Sequence, residues 1–358
     1  MSLLASLRAI ITAEGPIGID RYMAICLTDP HDGYYTTRDP LGRGGDFVTA
    51  PEISQIFGEM IGLWAAAVWQ QLGAPDAFRL VELGPGRGTL MVDALRALKA
   101  LPPCRAAAAI DLVEISPVLR QRQHEALERH HPDKTIAWHR GLDGVPCDLP
   151  TIVLANEFFD ALPIRQWVYR ADGWRERCVG LEGDDLVFVE AAPVEESADW
   201  PAATEGSIRE TALPATTFAG EIGRRLGQTR GACLVIDYGH VGAGIGDSLQ
   251  AISNHGYAPI LANPGDADLT AHVDFAALGE AFAAAGLVIN GPTTQGRWLR
   301  DIGAGTRAER LMKGQDPATA AAISQGLRRL LDPMAMGVLF KVMAAASNDL
   351  GPLPGFAA

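Results

Sequence analysis

No run of about 18 apolar residues occurs anywhere in this chain, so nothing in it reads as a membrane span. Cysteine is scarce: there are 5, at Cys26, Cys104, Cys147, Cys178 and Cys233, with no C-x-x-C pair. The number is odd and two of them lie in apolar runs, which points to a reducing compartment and thiols used as small hydrophobes. The 8 histidines show no metal-ligand spacing, and His130-His131 before a proline reads as a helix exit, so no metal is expected. Positive charge is also short. The net charge of −13 argues against a nucleic-acid backbone as the main partner. There is no internal repeat, and the N-terminal Met1-Ser-Leu-Leu-Ala-Ser-Leu-Arg has the spacing of a helix rather than of a signal or transit peptide. A cytoplasmic, bacterial-type protein is the expectation.

What is present is a large globular chain: 358 residues, 48% hydrophobic and 20% charged. The richest stretch is Phe78-Arg-Leu-Val-Glu-Leu-Gly-Pro-Gly-Arg-Gly-Thr89. Its apolar run reads as a buried parallel strand that ends in Gly84-x-Gly86-x-Gly88 and passes into a helix. Glycines there permit a sharp turn and close approach of a ligand to backbone, at a helix end that presents free N–H groups. The spacing is not the G-x-G-x-x-G of pyrophosphate cradles. With Glu82 two residues ahead, it resembles motif I of class I S-adenosylmethionine (SAM) methyltransferases. A second apolar run, 107–115, ends at Glu114, followed by Ser116-Pro117 as a helix opening. A carboxylate at that strand tip can accept both ribose hydroxyls of an adenosine.

The alternation of strands and helices calls for an α/β fold with a doubly wound sheet and ligands at the carboxyl ends of its strands. The expected organisation is a helical segment over residues 1–75, the first half of the α/β domain over 76–160, an insertion with a β-hairpin and linker over 161–230, the second half over 231–346 with helices at about 296–331, and a flexible tail over 347–358. Within it, Thr49 and Glu52 fit a capping box opening one helix whose apolar stripe runs from Ile53 to Val68. Thr151–Ala155 forms a strand that stops at Asn156-Glu-Phe-Phe-Asp160, Ala232–Asp237 forms another, and 337–343 the last.

Several stretches, taken together, resemble the MidA-type methyltransferases. They are Gly33-Tyr-Tyr35, Gly45-Asp-Phe-Val-Thr-Ala-Pro-Glu-Ile-Ser-Gln-Ile-Phe-Gly-Glu59, Val81–Leu90, Val113-Glu-Ile-Ser-Pro117, Ala155-Asn-Glu-Phe-Phe-Asp-Ala-Leu-Pro163, Ile236-Asp-Tyr-Gly239 and Asp268-Leu-Thr-Ala-His-Val-Asp-Phe275. That family includes the mitochondrial respiratory complex I assembly factor that methylates a protein arginine. The resemblance implies a class I, Rossmann-like SAM methyltransferase with a seven-stranded sheet, acting on a protein arginine, with a complex I subunit as the partner to test. It implies SAM contacts at Glu82, Gly84, Pro85, Gly86, Gly88, Glu114 and Asn156.

A guanidinium stays protonated, with a pKa above about 12. Carboxylates that grip it, orient one nitrogen and favour proton loss are therefore the expected catalytic groups. Glu157, Asp160 and Asp46 are the catalytic candidates; Glu52, Tyr35, Asp237 and His272 are candidate acceptor contacts. Each has a plainer role open to it. Glu52 completes the capping box, Asp46 fixes a turn after two glycines, and Asn156 and Asp160 cap a helix after the fourth strand. Asp237 and Asp274 cap their own segments, Tyr35 packs beside Tyr34, and His272 is a structural histidine. Two other classes stay open at this point: a SAM-binding assembly chaperone without turnover, and an NAD(P)-dependent oxidoreductase.

Overall fold

In a computed structural model of the chain, the described residues are 2–37, 49–193, 200, 203–242 and 244–356. The chain divides into two compact units. One comprises Met1–Phe47, Asp160–Thr217 and His240–Ala276; the other comprises Val48–Phe159, Phe218–Gly239 and Ala277–Ala358.

The larger unit is built on a mixed sheet whose strands are labelled here β1 (Phe78–Leu83), β2 (Ala108–Val113), β3 (Ile136–His139), β4 (Thr151–Asn156), β5 (Gly231–His240), β6 (Val288–Thr294) and β7 (Phe340–Ala346). They follow one another in the hydrogen-bonded order β3-β2-β1-β4-β5-β7-β6 within a sheet of eight strands, one more than the sequence reading expects. β1 pairs parallel with both β2 and β4, β4 pairs parallel with β5, and only β7 runs antiparallel to its neighbours β5 and β6. A strand covered on both faces needs apolar residues throughout rather than in alternation. In β1, Phe78, Leu80, Val81 and Leu83 are all fully buried. Helices Gln55–Gln71 and Thr89–Ala97 add Phe57, Met60, Trp64, Leu90, Met91 and Leu95 to the same core as Leu80, Ile110 and Ile152.

Register places the strand ends together. Leu83 stands opposite Val113 on one side and Ala155 on the other, and Asn156 stands opposite Ile236. Gly84, Glu114 and Glu157 therefore leave the sheet along one edge, beside Asp237, which is still within β5. The strand order reverses between β1 and β4, and ligands of open α/β sheets bind in the crevice at such a point.

Three local expectations are corrected here. The capping box does not form: Thr49 makes no side-chain cap, and Ala50–Ile53 is a separate short helix. The chain restarts at Ser54, whose hydroxyl caps Gln55–Gln71. No helix follows β4, so Asn156 and Asp160 cap none; the chain turns until a strand begins at Arg165. The segment Met336–Leu339 is helical and β7 begins only at Phe340.

The smaller unit holds helices Leu3–Glu14 and Ile19–Thr28, an antiparallel sheet that includes the hairpin Arg165–Arg170 and Gly173–Glu182, and a three-stranded sheet of Gln250–Ser253, Gly256–Ala258 and Asp268–Thr270. Leu7, Ile19, Tyr22, Met23, Val179 and Leu269 form its core.

Candidate active site

The turn after β1 is left-handed three times: φ is +58° at Gly84, +55° at Gly86 and +82° at Gly88. Side chains other than glycine rarely adopt these angles. A Cβ on Gly84 would also stand 3.1 Å from the Phe158 ring. Gly88 is the N-cap of helix Thr89–Ala97 and offers no side chain to its free N–H groups, which stay available to a ligand.

Two carboxylates face this turn. Glu82 is 3% exposed, and its Oε2 has no hydrogen-bond partner among the described residues. Burial, with the Glu114 charge adding to it, pushes its carboxyl up to about 8. Glu114 is also buried, which raises its pKa, but it is better supported. Oε1 accepts the Ser116 N–H at 2.8 Å, and Oε2 accepts from Gln123 Nε2 at 3.1 Å. An ionised carboxylate has about four lone-pair positions, so both oxygens keep acceptor capacity. Asn156 Oδ1 is a further buried acceptor without a partner among the described residues.

Glu157 follows Asn156 with φ +49°, a left-handed angle that is costly for a glutamate. Its backbone N–H donates to Ile236 O at 2.9 Å, and its Oε1 accepts from Ala50 N at 3.1 Å and Asn156 Nδ2 at 3.3 Å. Asp237 is fully buried and accepts three backbone N–H groups, those of Phe158, Phe159 and Tyr238. Glu52 accepts the hydroxyl of Thr89, the first residue of the helix after the glycine turn.

The other candidates lie in the smaller unit or outside the described residues. Tyr35 donates its hydroxyl to Asp268 Oδ1 at 2.7 Å; burial and the charges of Asp268 and Asp160 hold that phenol well above its ordinary range. Asp160 is 6% exposed and its carbonyl accepts the Ala271 N–H at 2.9 Å. The backbone N–H of His272 donates to Ser248 Oγ at 2.8 Å. Asp274 Oδ1 accepts from Ala276 N at 3.0 Å, the local role expected of it. Asp46 lies outside the described residues.

Two groups escaped the sequence reading. Gln123, fully buried on helix Pro117–His130, bonds to both the glycine turn and Glu114. Asp268 sits in a recognised stretch, but nothing local marks it as the partner of Tyr35.

An amino acid joined to an adenosine is a fit for the larger unit's cluster. It brings an ammonium, a carboxylate and two ribose hydroxyls, and the residues present are an orphaned buried carboxyl oxygen, open helix N–H groups and a strand-tip carboxylate. Among the described residues no helix is long and apolar enough to cross a membrane.

The comparisons with known proteins agree. The family model described as "Putative S-adenosyl-L-methionine-dependent methyltransferase" matches residues 60–293. A Drosophila melanogaster protein named protein arginine methyltransferase NDUFAF7 homolog, mitochondrial, is 36% identical over 99% of this chain and 88% of its own. The Homo sapiens protein arginine methyltransferase NDUFAF7, mitochondrial, is 36% identical over 96% of this chain and 82% of its own. Their mitochondrial names lend no support to the cytoplasmic location expected above. A Burkholderia thailandensis protein whose crystal structure contains S-adenosyl-homocysteine superposes with a TM-score of 0.87 at 33% identity, covering 99% of this chain and 94% of that one. The chain belongs to this family of S-adenosyl-L-methionine-dependent methyltransferases, an α/β fold that uses S-adenosylmethionine as its cofactor.

Proposed function

We propose that this methyltransferase modifies an arginine side chain in a protein substrate, with a respiratory complex I subunit as the first acceptor to test. The names of the curated relatives support the residue type. The observation that carries the chemistry is Glu157, a carboxylate held on a left-handed backbone at the carboxyl end of β4.

When bound, the cofactor supplies an electrophilic methyl group on a sulfonium. The work of the protein is to hold and orient. In this reading the turn at Gly84, Pro85, Gly86 and Gly88, together with Glu82 and Asn156, holds the amino-acid end, and Glu114 accepts the ribose hydroxyls. Glu157 grips the guanidinium, turns one nitrogen toward the methyl group and accepts the proton that this nitrogen gives up. Glu52 and Asp237, in the same unit as Glu157, are further contacts for the acceptor.

The test is incubation of the purified protein and radiolabelled cofactor with a cell lysate, followed by mass spectrometry of the labelled band. Methylarginine in one band supports the reading. Label on another residue type overturns the arginine assignment. Cofactor binding with no label in any band makes the chain a SAM-binding assembly chaperone instead.

A further inference from the structure

Gln123 is a polar side chain on the buried stripe of helix Pro117–His130, between Leu119 and Leu127, and is 0% exposed. All of its hydrogen-bonding capacity on the amide nitrogen is committed. Nε2 donates to Gly86 O at 2.7 Å and to Glu114 Oε2 at 3.1 Å. Oε1 accepts from Trp138 Nε1 at 2.9 Å, which fixes the orientation of the amide. The helix also comes close to the turn: a Cβ on Gly88 would stand 3.3 Å from Gln123 Cα.

We infer that Gln123 is a positioning residue for the cofactor: it ties the Gly86 peptide to the Glu114 carboxylate and holds that carboxylate aimed. This rests on the reading of Glu114 as the ribose acceptor. The physical reason is the surroundings of Glu114. Burial disfavours its charge, and that charge in turn raises the pKa of Glu82. Opposing burial are the Ser116 N–H, the Gln123 amide, the Ile115 N–H and the Arg120 guanidinium, whose Nε also donates to Glu114 O at 2.9 Å. His139 on β3 contributes its carbonyl to the Glu114 N–H, while its imidazole is taken up by Asp111 Oδ1 at 2.7 Å. Gln123 is the neutral donor that reaches both the ribose carboxylate and the glycine turn, so it couples their geometry. A hydrophobic residue of equal length would leave Gly86 O and Glu114 Oε2 without that donor.

The experiment measures S-adenosylhomocysteine affinity by calorimetry from pH 6 to pH 8.5 for the full chain, Gln123→Met, Gln123→Glu and Glu114→Gln, each divided by the wild-type value at the same pH so that shared titrations cancel. Gln123→Met raises the carboxyl pKa of Glu114, so its binding defect is about tenfold or more at pH 6 and shrinks as the pH rises. Gln123→Glu has the opposite slope. The introduced carboxyl is a donor while protonated and a repelling charge once ionised, so its defect grows with pH. Equal defects at every pH in both variants would reduce Gln123 to packing and overturn the inference, as would unchanged affinity. If Gln123→Met does not fold, the near-isosteric Gln123→Glu slope decides alone. Glu114→Gln separates the two claims: wild-type affinity in that variant removes the ribose assignment, whereas a loss there with flat Gln123 profiles removes only the role of Gln123.

Discussion

Asp237 Oδ2 accepts the backbone N–H of Phe159 at 3.0 Å, and the same oxygen accepts that of Phe158 at 3.2 Å. This carboxylate within β5 thus suspends the turn that leaves β4, and Glu157 is the first residue of that turn. The left-handed angle at Glu157 persists because Asp237 on one side and the Ile236 carbonyl on the other fix the chain around it.

Removing that anchor should cost stability and turnover together. Asp237→Ala removes the acceptor of three backbone N–H groups, of which that of Phe159 is buried, and a hydrogen bond to a charged acceptor contributes roughly 1.5–3 kcal/mol. We expect urea unfolding to show a loss of about 3 kcal/mol, and methyl transfer to fall further than cofactor affinity does. Wild-type stability would mean that the turn holds itself.

The glycine turn and the strand-tip acid should govern cofactor binding. Gly84→Val puts a branched side chain at a φ of +58° and against the Phe158 ring, and Glu114→Ala removes the ribose acceptor. Each should weaken SAM binding at least tenfold, or about 1.4 kcal/mol. Calorimetric titration of both variants checks this, and unchanged affinity in both would discard the site.

Glu157→Gln keeps the shape of the side chain and its bond from Ala50 N but lowers its capacity to hold a cation and take up a proton. SAM affinity should stay within about threefold of wild type while turnover with the true acceptor falls by about a hundredfold or more. Full turnover would remove Glu157 from catalysis.

Stability of the ligand-free protein should fall as pH rises toward mild alkali. Burial, reinforced by Glu114, pushes Glu82 up to about 8. Burial also pushes Asp93 up to about 7, against the pull of Arg96 and with the Glu59 charge adding to the rise. Both carboxyls bind protons more tightly folded than unfolded. Their contribution is complete below the unfolded values of 4.5 and 3.8 and is lost as pH rises through about 7 and about 8. Thermal midpoints at pH 5.5, 7 and 8.5 should decline in that order, and Glu82→Gln should flatten the slope. A midpoint that rises across this window would mean that Glu82 is ionised in the folded chain.

Much of this fold is legible in the chain because its central strands are buried on both faces. Leu80-Val81 and Ile110 announce β1 and β2 without any partner in view, and the three glycines fix where β1 stops. Legibility ends where tertiary contacts outweigh local pattern. Glu52 has the spacing of a capping box, yet its oxygen serves Thr89, 37 residues away. Gly337-Val-Leu reads as the start of a strand from its apolar content, yet the helix Met336–Leu339 takes it. Gln123 reads as one more polar residue on a surface helix; only the packing of that helix against the glycine turn, again 37 residues distant, gives it a purpose. Asp237 stood between ligand contact and local cap, and the turn it holds belongs to another strand.

The most direct test is a crystal structure of this chain with S-adenosylhomocysteine. The account requires density along the turn from Gly84 to Gly88, with both ribose hydroxyls within hydrogen-bond distance of Glu114. Density elsewhere, or a ribose whose hydroxyls face a residue other than Glu114, would contradict it.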